Sequence, residues 1–230
     1  MLKVTNLNFS FPQHPILNQV NFELADGEIV GLVAPNGTGK TTLLRLLSGL
    51  LDARGATITL NGTNANKQRR QYLAQLFFLE NSGQLYPNLT VRDHLRYVRG
   101  MWQSDVVIED IVEELEMIDY IDKKVKNLSL GMKQHLLLAM YLVTGANTLL
   151  IDEPLNGLDP TSILQFETIF RKLRNDGKTL LVSSHQMDSV GRVCDRVFFL
   201  KNQQLHEVVN TGQDFMALYR HMYLGGEGDA

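Results

Sequence analysis

Nine consecutive residues, Ala34-Pro35-Asn36-Gly37-Thr38-Gly39-Lys40-Thr41-Thr42, constrain this chain more than any other stretch. They follow Glu28-Ile29-Val30-Gly31-Leu32-Val33, an apolar run of strand length, and lead into Thr41 to Leu51, which has the apolar content of a buried helix. Strand, glycine-bearing turn and helix in that order form the context that a phosphate-binding loop requires. Gly37 and Gly39 lack a Cβ, so the backbone can turn tightly and bring its N–H groups against phosphate oxygens. A helix beginning near Gly39 points its free amides and positive dipole end at the same anion. In that setting Lys40 reaches the β- and γ-phosphates, and the Thr41 hydroxyl, with Thr42 behind it, faces a Mg²⁺ ion. The usual spacing is G-x-x-x-x-G-K-[ST], and Ala34 stands in place of its first glycine. If that position needs a positive φ, alanine costs roughly 1 kcal/mol there.

With 230 residues the chain can bury one sizeable core, or one domain with a subdomain inserted in it. A formal net charge of −3 offers no basic footprint, so nucleic acid is not expected as a partner. The lone cysteine, Cys194, excludes an internal disulfide, fits a reducing compartment and is expected to serve as a small buried hydrophobe. Met1 to Thr5 has no apolar signal core, and no run approaches the roughly 18 apolar residues of a membrane span. Leu136 to Val143 is the longest strongly apolar stretch. A cytoplasmic protein is expected, with Gly225 to Ala230 as a disordered tail.

Along the chain, Leu2 to Phe9 and Val20 to Leu24 read as strands joined through a turn marked by Pro12 and Pro15. Phe11, at the end of the first strand, can stack on an adenine ring or simply pack a loop. Ala56 to Leu60 with Asn61-Gly62 reads as strand and turn, and Leu76 to Leu79 as a short strand broken by Glu80-Asn81-Ser82-Gly83. Thr90 is a candidate N-cap for the helix that follows. Val106 to Met117 predicts a second amphipathic helix, with a stripe at Val107, Ile111, Leu115 and Ile118. Asn127 to Gln134 leads into a third, where Ser129 and Gly131 offer a hydroxyl and exposed amides, or merely an N-cap.

Thr148-Leu149-Leu150-Ile151 is a continuous apolar run of the kind found in buried parallel strands, and it ends in Asp152-Glu153-Pro154. Two adjacent carboxylates at the end of a buried strand are costly unless something cationic sits beside them, which suggests a metal ligand and a base. Asn156 to Pro160 reads as a turn, followed by a helix from Thr161 to about Asn175. Leu180 to Ser183 is a further buried strand, ending in Ser184-His185. Of six histidines only His185 lies at such a strand's C-terminal edge, where open α/β sheets gather their ligands. Val197 to Leu200 and Gln203 to Val209 predict a hairpin around Lys201-Asn202, and Asp214 to Leu224 a helix with a stripe at Phe215, Leu218 and Met222.

Taken together, Leu2 to Val209 resembles the ATP-binding subunit of an ABC transporter. Ala34 to Thr42 resembles the Walker A loop, Leu149 to Glu153 the Walker B strand and Leu128 to Gln134 the signature; Asn156 to Asp159 resembles the D-loop and His185 the switch histidine. Phe11 falls where that family places its adenine-stacking aromatic, and Leu85 to Arg92 resembles the segment after the Q-loop. The resemblance implies an α/β fold: a P-loop NTPase (RecA-like) core with an antiparallel β subdomain and an inserted α-helical subdomain. Its expected divisions are 1–82 for the β subdomain and first part of the core, 83–145 for the helical subdomain, 146–224 for the rest of the core, and 225–230 for the tail.

The resemblance implies that ATP and Mg²⁺ are bound and ATP hydrolysed. Nucleotide contacts are expected from Phe11, Pro35, Asn36, Gly37, Thr38, Gly39, Lys40, Thr41 and Thr42, and across a dimer from Ser129, Gly131 and Asp159. Thr41, Asp152 and Asn81 are the expected metal side chains, with Glu80 the alternative to Asn81. Glu153 is expected to polarise the attacking water, His185 to contact the γ-phosphate and Lys40 to neutralise it. Expected partners are a second cassette, in the first instance an identical chain, and an integral membrane permease docking beside Asn81 to Trp102 through Tyr86, Tyr97, Met101 and Trp102. The chain would then sit at the inner face of the cell membrane, touching it only through the permease. The signature departs from the commoner Leu-Ser-Gly-Gly-Gln at Leu130 and Met132, in the manner of the branch linked to drug and peptide-antibiotic export or self-immunity. A soluble ATPase that moves no solute, and a weakly active regulatory cassette of a heterodimer, are the rival readings.

Overall fold

The computed structural model describes residues 1–225. The expected tail therefore lies outside the described residues apart from Gly225, whose N–H is held by Arg220 O at 2.8 Å. The strands are β1 (Leu2–Phe11), β2 (His14–Leu24), β3 (Ile29–Val33), β4 (Thr57–Leu60), β5 (Thr63–Asn64), β6 (Leu76–Leu79), β7 (Thr148–Asp152), β8 (Thr179–Ser183), β9 (Arg196–Lys201) and β10 (Gln204–Val209). The α-helices are α1 (Lys40–Leu47), α2 (Arg69–Leu73), α3 (Val91–Trp102), α4 (Ile108–Glu114), α5 (Leu130–Val143), α6 (Pro160–Asn175), α7 (Met187–Val193) and α8 (Phe215–Tyr223).

Two sheets carry the molecule. One is four-stranded in the order β2-β1-β4-β5, and the other six-stranded in the order β10-β9-β3-β8-β7-β6. The first is antiparallel; in the second, β9, β3, β8, β7 and β6 run parallel and β10 closes an edge antiparallel to β9. Because successive strand residues face opposite sides, the buried parallel strands split their side chains between two cores. Val30, Leu32, Leu150, Leu181 and Phe198 pack with α1 and the antiparallel sheet, where Leu2, Leu7, Leu24, Leu43 and Leu47 lie. Ile29, Val33, Leu149, Ile151, Leu180 and Phe199 pack on the other face against the helices, with Val98, Leu136, Phe166 and Phe170. Between β6 and β7 the chain runs through helices and turns, from a 3-10 turn at Ser82–Gln84 to α5, with one isolated antiparallel bridge between Thr90 and Lys124.

Several boundaries differ from expectation, each for a local reason. The first two strands extend to Phe11 and back from His14, with Pro15 inside β2 opposite Ser10. A proline is tolerated there because β2 is an edge strand. Helix α1 stops at Leu47 rather than Leu51, capped by the backbone of Ser48. Helix α4 is only seven residues long, and the predicted stripe survives in part: Ile111 and Leu115 are buried, whereas Val107 is 48% and Ile118 69% exposed. Val107 is the N-cap, and the chain leaves the helix before Glu116, whose φ is 54°. A helical period carried past either break therefore places the wrong residues inside, and Ile108 and Val112 fill the face instead. The last hairpin turns at Asn202-Gln203, both with positive φ, one residue beyond the predicted Lys201-Asn202. Helices α2 and α7 were not expected: α2 buries one side chain, Tyr72, whose hydroxyl donates to Leu47 O at 2.7 Å.

Candidate functional site

The loop between β3 and α1 has the conformation that its glycines permit. Gly37 and Gly39 sit at φ 81° and 117°, and a Cβ on Gly39 would overlap Ile16 Cγ2. Ala34, by contrast, is absent from the residues with positive φ, so the missing first glycine costs no strain. The loop braces itself: Thr38 Oγ1 donates to Pro35 O at 2.7 Å, and the buried Lys40 Nζ donates to Ala34 O at 2.8 Å and to Pro35 O at 3.5 Å. Phe11, His14, Ile16, Asn36, Gly37, Gly39 to Thr42 and Glu153 line one cleft of about 300 Å³. Phe11 is 40% exposed there and meets Phe9 edge to face, with centroids 5.0 Å apart.

The carboxylates reach this cleft because β7 lies beside β8 in the parallel sheet, with Asp152 level with Ser183. Thr41 Oγ1 donates to Asp152 Oδ2 at 2.6 Å, and Ser183 Oγ donates to the other oxygen, Oδ1. Burial pushes the Asp152 carboxyl above the usual range, and the hydrogen bonds from Ser183 and Thr41 pull against that rise. Next along, Glu153 adopts φ 48° although Pro154 follows it, a backbone that disfavours any non-glycine residue. It is held there by its N–H, which donates to Ser183 Oγ at 2.9 Å and to Ser183 O at 3.2 Å. Such a conformation persists where the surroundings over-determine it, as functional sites do. Glu153 Oε2 is 2.9 Å from His185 Nδ1, and Oε1 is 3.5 Å from Lys40 Nζ. Oε1 is buried and accepts no hydrogen bond.

Other expected residues lie elsewhere. Ser129 caps α5, accepting from Met132 N at 3.2 Å, and Gly131 lies within the first turn of that helix rather than ahead of it. Neither lines the cleft around Lys40. Asp159 spends its carboxylate as the cap of α6, accepting from Thr161 N, Ser162 N and Ser162 Oγ, which hold it below the usual carboxylate range. Asn81 Oδ1 accepts from Gly83 N at 2.9 Å and caps the 3-10 turn, while Glu80 pairs with Arg45 at 2.8 Å. Neither candidate for the Q-loop role joins Thr41 and Asp152. Among the described residues, no group of three or more His, Cys, Asp and Glu is arranged to hold a metal ion. A hydroxyl and a single carboxylate are nonetheless hard oxygen donors of the kind that hold Mg²⁺ when phosphate and water complete its shell.

A family profile described as "ABC transporter" matches residues 17–156. The chain belongs to the ABC transporter family. The lantibiotic transport ATP-binding protein SrtF of Streptococcus pyogenes is 32% identical over 201 residues, spanning 87% of this chain and 86% of that protein. The ABC transporter ATP-binding protein NatA of Bacillus subtilis is 33% identical over 197 residues, 82% and 79% of the two chains. A solved ATP-binding subunit of an ABC transporter superposes with a TM-score of 0.88 at 25% identity, over 96% of this chain and 99% of that one. A dimeric post-hydrolysis cassette bound to ADP and Pi has a TM-score of 0.81 at 21% identity over 93% and 100%, and shares the fold.

This ABC protein is thus an ATP-binding subunit and an ATPase, on the P-loop NTPase fold. Within the cassette, one residue of the cleft escaped the sequence reading. Ser183 is fully buried, and its hydroxyl donates to the Asp152 carboxylate while accepting from the Glu153 N–H. Its signal is slight: a hydroxyl ending the apolar run Leu180 to Val182, two residues before His185. No helix among the described residues is long and apolar enough to cross a membrane.

Proposed function

We propose that this ATPase energises transport by a separate membrane permease, closing with a second copy of itself over two ATP molecules. The observation that carries the hydrolytic part is Glu153. It has one oxygen oriented by His185, the other buried, accepting no hydrogen bond and ion-paired with Lys40 at 3.5 Å, and a main chain pinned by Ser183. An acceptor left free in such a place suits a water molecule awaiting attack on phosphorus. Lys40, turned back on Ala34 O and Pro35 O, would swing to the β- and γ-phosphates, and the N–H groups of residues 36–42 would cradle them. Thr41 and Asp152 would hold Mg²⁺, which would supply positive charge to offset that of the phosphates. Phe11 would stack on the adenine, and His185 would hold Glu153 and the γ-phosphate in register.

Dimerisation is supported by what the cleft lacks. Asn36 and Gly37 are exposed at its rim, and the exposed Ser129 stands on another part of the same molecule. Two chains set head to tail would give each nucleotide a phosphate loop from one copy and Ser129, Gly131 and Asp159 from the other. The permease would meet Tyr86, Tyr97 and Met101, which are 60%, 58% and 61% exposed. Trp102 is withdrawn from that surface: its ring meets Phe77 edge to face at 4.9 Å, and its Nε1 is buried. A relative named for lantibiotic transport favours export of a peptide or drug-like substrate.

Size-exclusion chromatography of Glu153→Gln with Mg-ATP and with Mg-ADP tests this reading. A dimer with ATP only is expected; a monomer with both nucleotides would overturn the self-pairing.

A further inference from the structure

Leu130 stands where the commoner signature has glycine, and the fold supplies a counterpart for it. It is the first residue of α5, 52% exposed, and its inner edge rests on Gly157. Gly157 sits at φ 75°, and a Cβ built there would overlap Leu130 Cδ2 and lie 3.1 Å from its Cγ. Only glycine leaves that notch open. The same two segments meet twice more. Gln134 Nε2 donates to Asn156 O at 3.3 Å, and Leu158 Cδ2 lies 3.8 Å from where a Cβ of Gly131 would stand. The turn from Asn156 to Asp159 is therefore gripped by the first turns of α5 on one side, while its far end is fixed by Asp159 capping α6.

We propose that Leu130 is a positioning residue, whose side chain, seated in the Gly157 notch, locks the signature turn and the Asn156–Asp159 turn of one chain into a single unit. The consequence for activity rests on the head-to-tail dimer proposed above: both turns would reach the second copy as one surface, already in register. Glycine at 130 would leave the notch empty and the two turns joined only by the Gln134 bond and the Leu158 contact. The departure at Leu130 then adds a contact within the chain, and the signature need not be a weakened one.

The test uses the Glu153→Gln chain as parent, with Leu130→Ala, Gly157→Ala, the double variant and Leu130→Met. Without nucleotide, hydrogen exchange reads each turn separately; the amides of Asn156 and Leu158 make only 3.3 Å bonds, so they are sensitive reporters. Leu130→Ala is expected to speed exchange in residues 156–158 about 5-fold, and Gly157→Ala to speed it in residues 130–132, with the double variant falling short of the product of the two. Leu130→Met, which conserves volume, should keep the parent's protection. With ATP, the protein concentration for half-dimerisation is expected to rise about 5-fold in each alanine variant, while the monomer's own affinity for nucleotide stays put. Exchange in one turn that ignores substitution in the other, or effects that simply multiply, would overturn the lock. Coupled turns with unchanged dimerisation would overturn the positioning role. Coupled turns in a parent that never dimerises would support the lock and sink the dimer reading instead.

Discussion

The cleft around Lys40 and the helical region around Ser129 solve the same task, presenting groups to a nucleotide, by different means. In the cleft Asp152, Glu153 and His185 hang from the ends of buried parallel strands or from the turns that follow them, Lys40 to Thr42 open the helix after β3, and β3, β8 and β7 are paired in that order in register. Backbone ladders fix Asp152 and the residues that follow β7 and β8, Glu153 and His185, relative to the strand that leads into α1 and Thr41. In residues 83–145 the β pairing among the described residues is a single isolated bridge, Thr90 to Lys124, and Ser129, Leu130 and Gly131 are placed by helix packing, a cap and contacts with the Asn156–Asp159 turn. Geometry held by ladders tolerates strain such as the φ of 48° at Glu153; geometry held by packing can shift when one side chain changes.

The largest expected effect lies in the first region. Glu153→Gln keeps the shape of the side chain and removes the base, so the ATPase rate should fall about 10²- to 10⁴-fold with nucleotide binding retained. Steady-state hydrolysis beside equilibrium binding checks this, and an unaltered rate would remove Glu153 from that role. In the second region the comparable change is one of stability. Leu115 is fully buried below α4, so Leu115→Ala should destabilise the chain by about 2–5 kcal/mol in chemical denaturation. The exposed Ile118, three residues on, should tolerate Ile118→Ser within about 0.5 kcal/mol. Equal losses at the two sites would mean that α4 packs as the unbroken stripe suggested.

Ser183→Ala sharpens the comparison, because it asks how much of the cleft's order is ladder and how much is side chain. The strand pairing survives the substitution, but Asp152 loses one hydrogen bond and the Glu153 N–H one of its two acceptors. The rate is expected to fall about 10-fold, equivalent to about 1.4 kcal/mol. The pH profile gives a second signature. Burial already raises the Asp152 carboxyl, and Ser183 is the first of the groups opposing that rise. Without it the carboxyl titrates higher still, so the acid limb of the profile should move to higher pH. A folded-state value above the unfolded one also means that protonation favours the fold. The cost of the buried charge is absent below the unfolded range and grows as pH rises through the folded value, so Asp152→Asn should raise the melting temperature most at neutral pH. A rate loss with an unmoved acid limb would assign Ser183 to Glu153 alone.

The same contrast governs how far the sequence could be read. The strands of the core, the phosphate loop, Asp152, Glu153 and His185 follow from apolar runs that end in chemistry-bearing residues, because buried parallel strands leave that signal locally. Helix α2 left almost none, since of its five residues only Tyr72 is buried, with Leu73 partly so. Ser183 was missed for a different reason: its importance arises from lying level with Asp152, a register that only the assembled sheet defines. The Leu130 and Gly157 contact likewise joins positions that no local pattern links. In the Q-loop the sequence offered Glu80 or Asn81, and the fold ties the first to Arg45 and the second to Gly83.

A small expected effect is that of Trp102→Phe, at the border between the two regions. The Trp102 ring ends α3 and meets Phe77 of β6 edge to face, joining the helical layer to the sheet, yet its buried Nε1–H has no acceptor among the described residues. Losing the large ring costs packing, while losing an unsatisfied buried donor gains back about 1–3 kcal/mol. Trp102→Phe keeps an aromatic edge against Phe77 and deletes the donor, so stability should change by less than about 1 kcal/mol. Trp102→Ala, which deletes both, should cost about 3–5 kcal/mol. Thermal or urea denaturation of the pair separates the two terms. If Trp102→Phe were as damaging as Trp102→Ala, the indole N–H would be making a bond essential to the fold, and the two regions would be joined there by a polar contact instead of an apolar one.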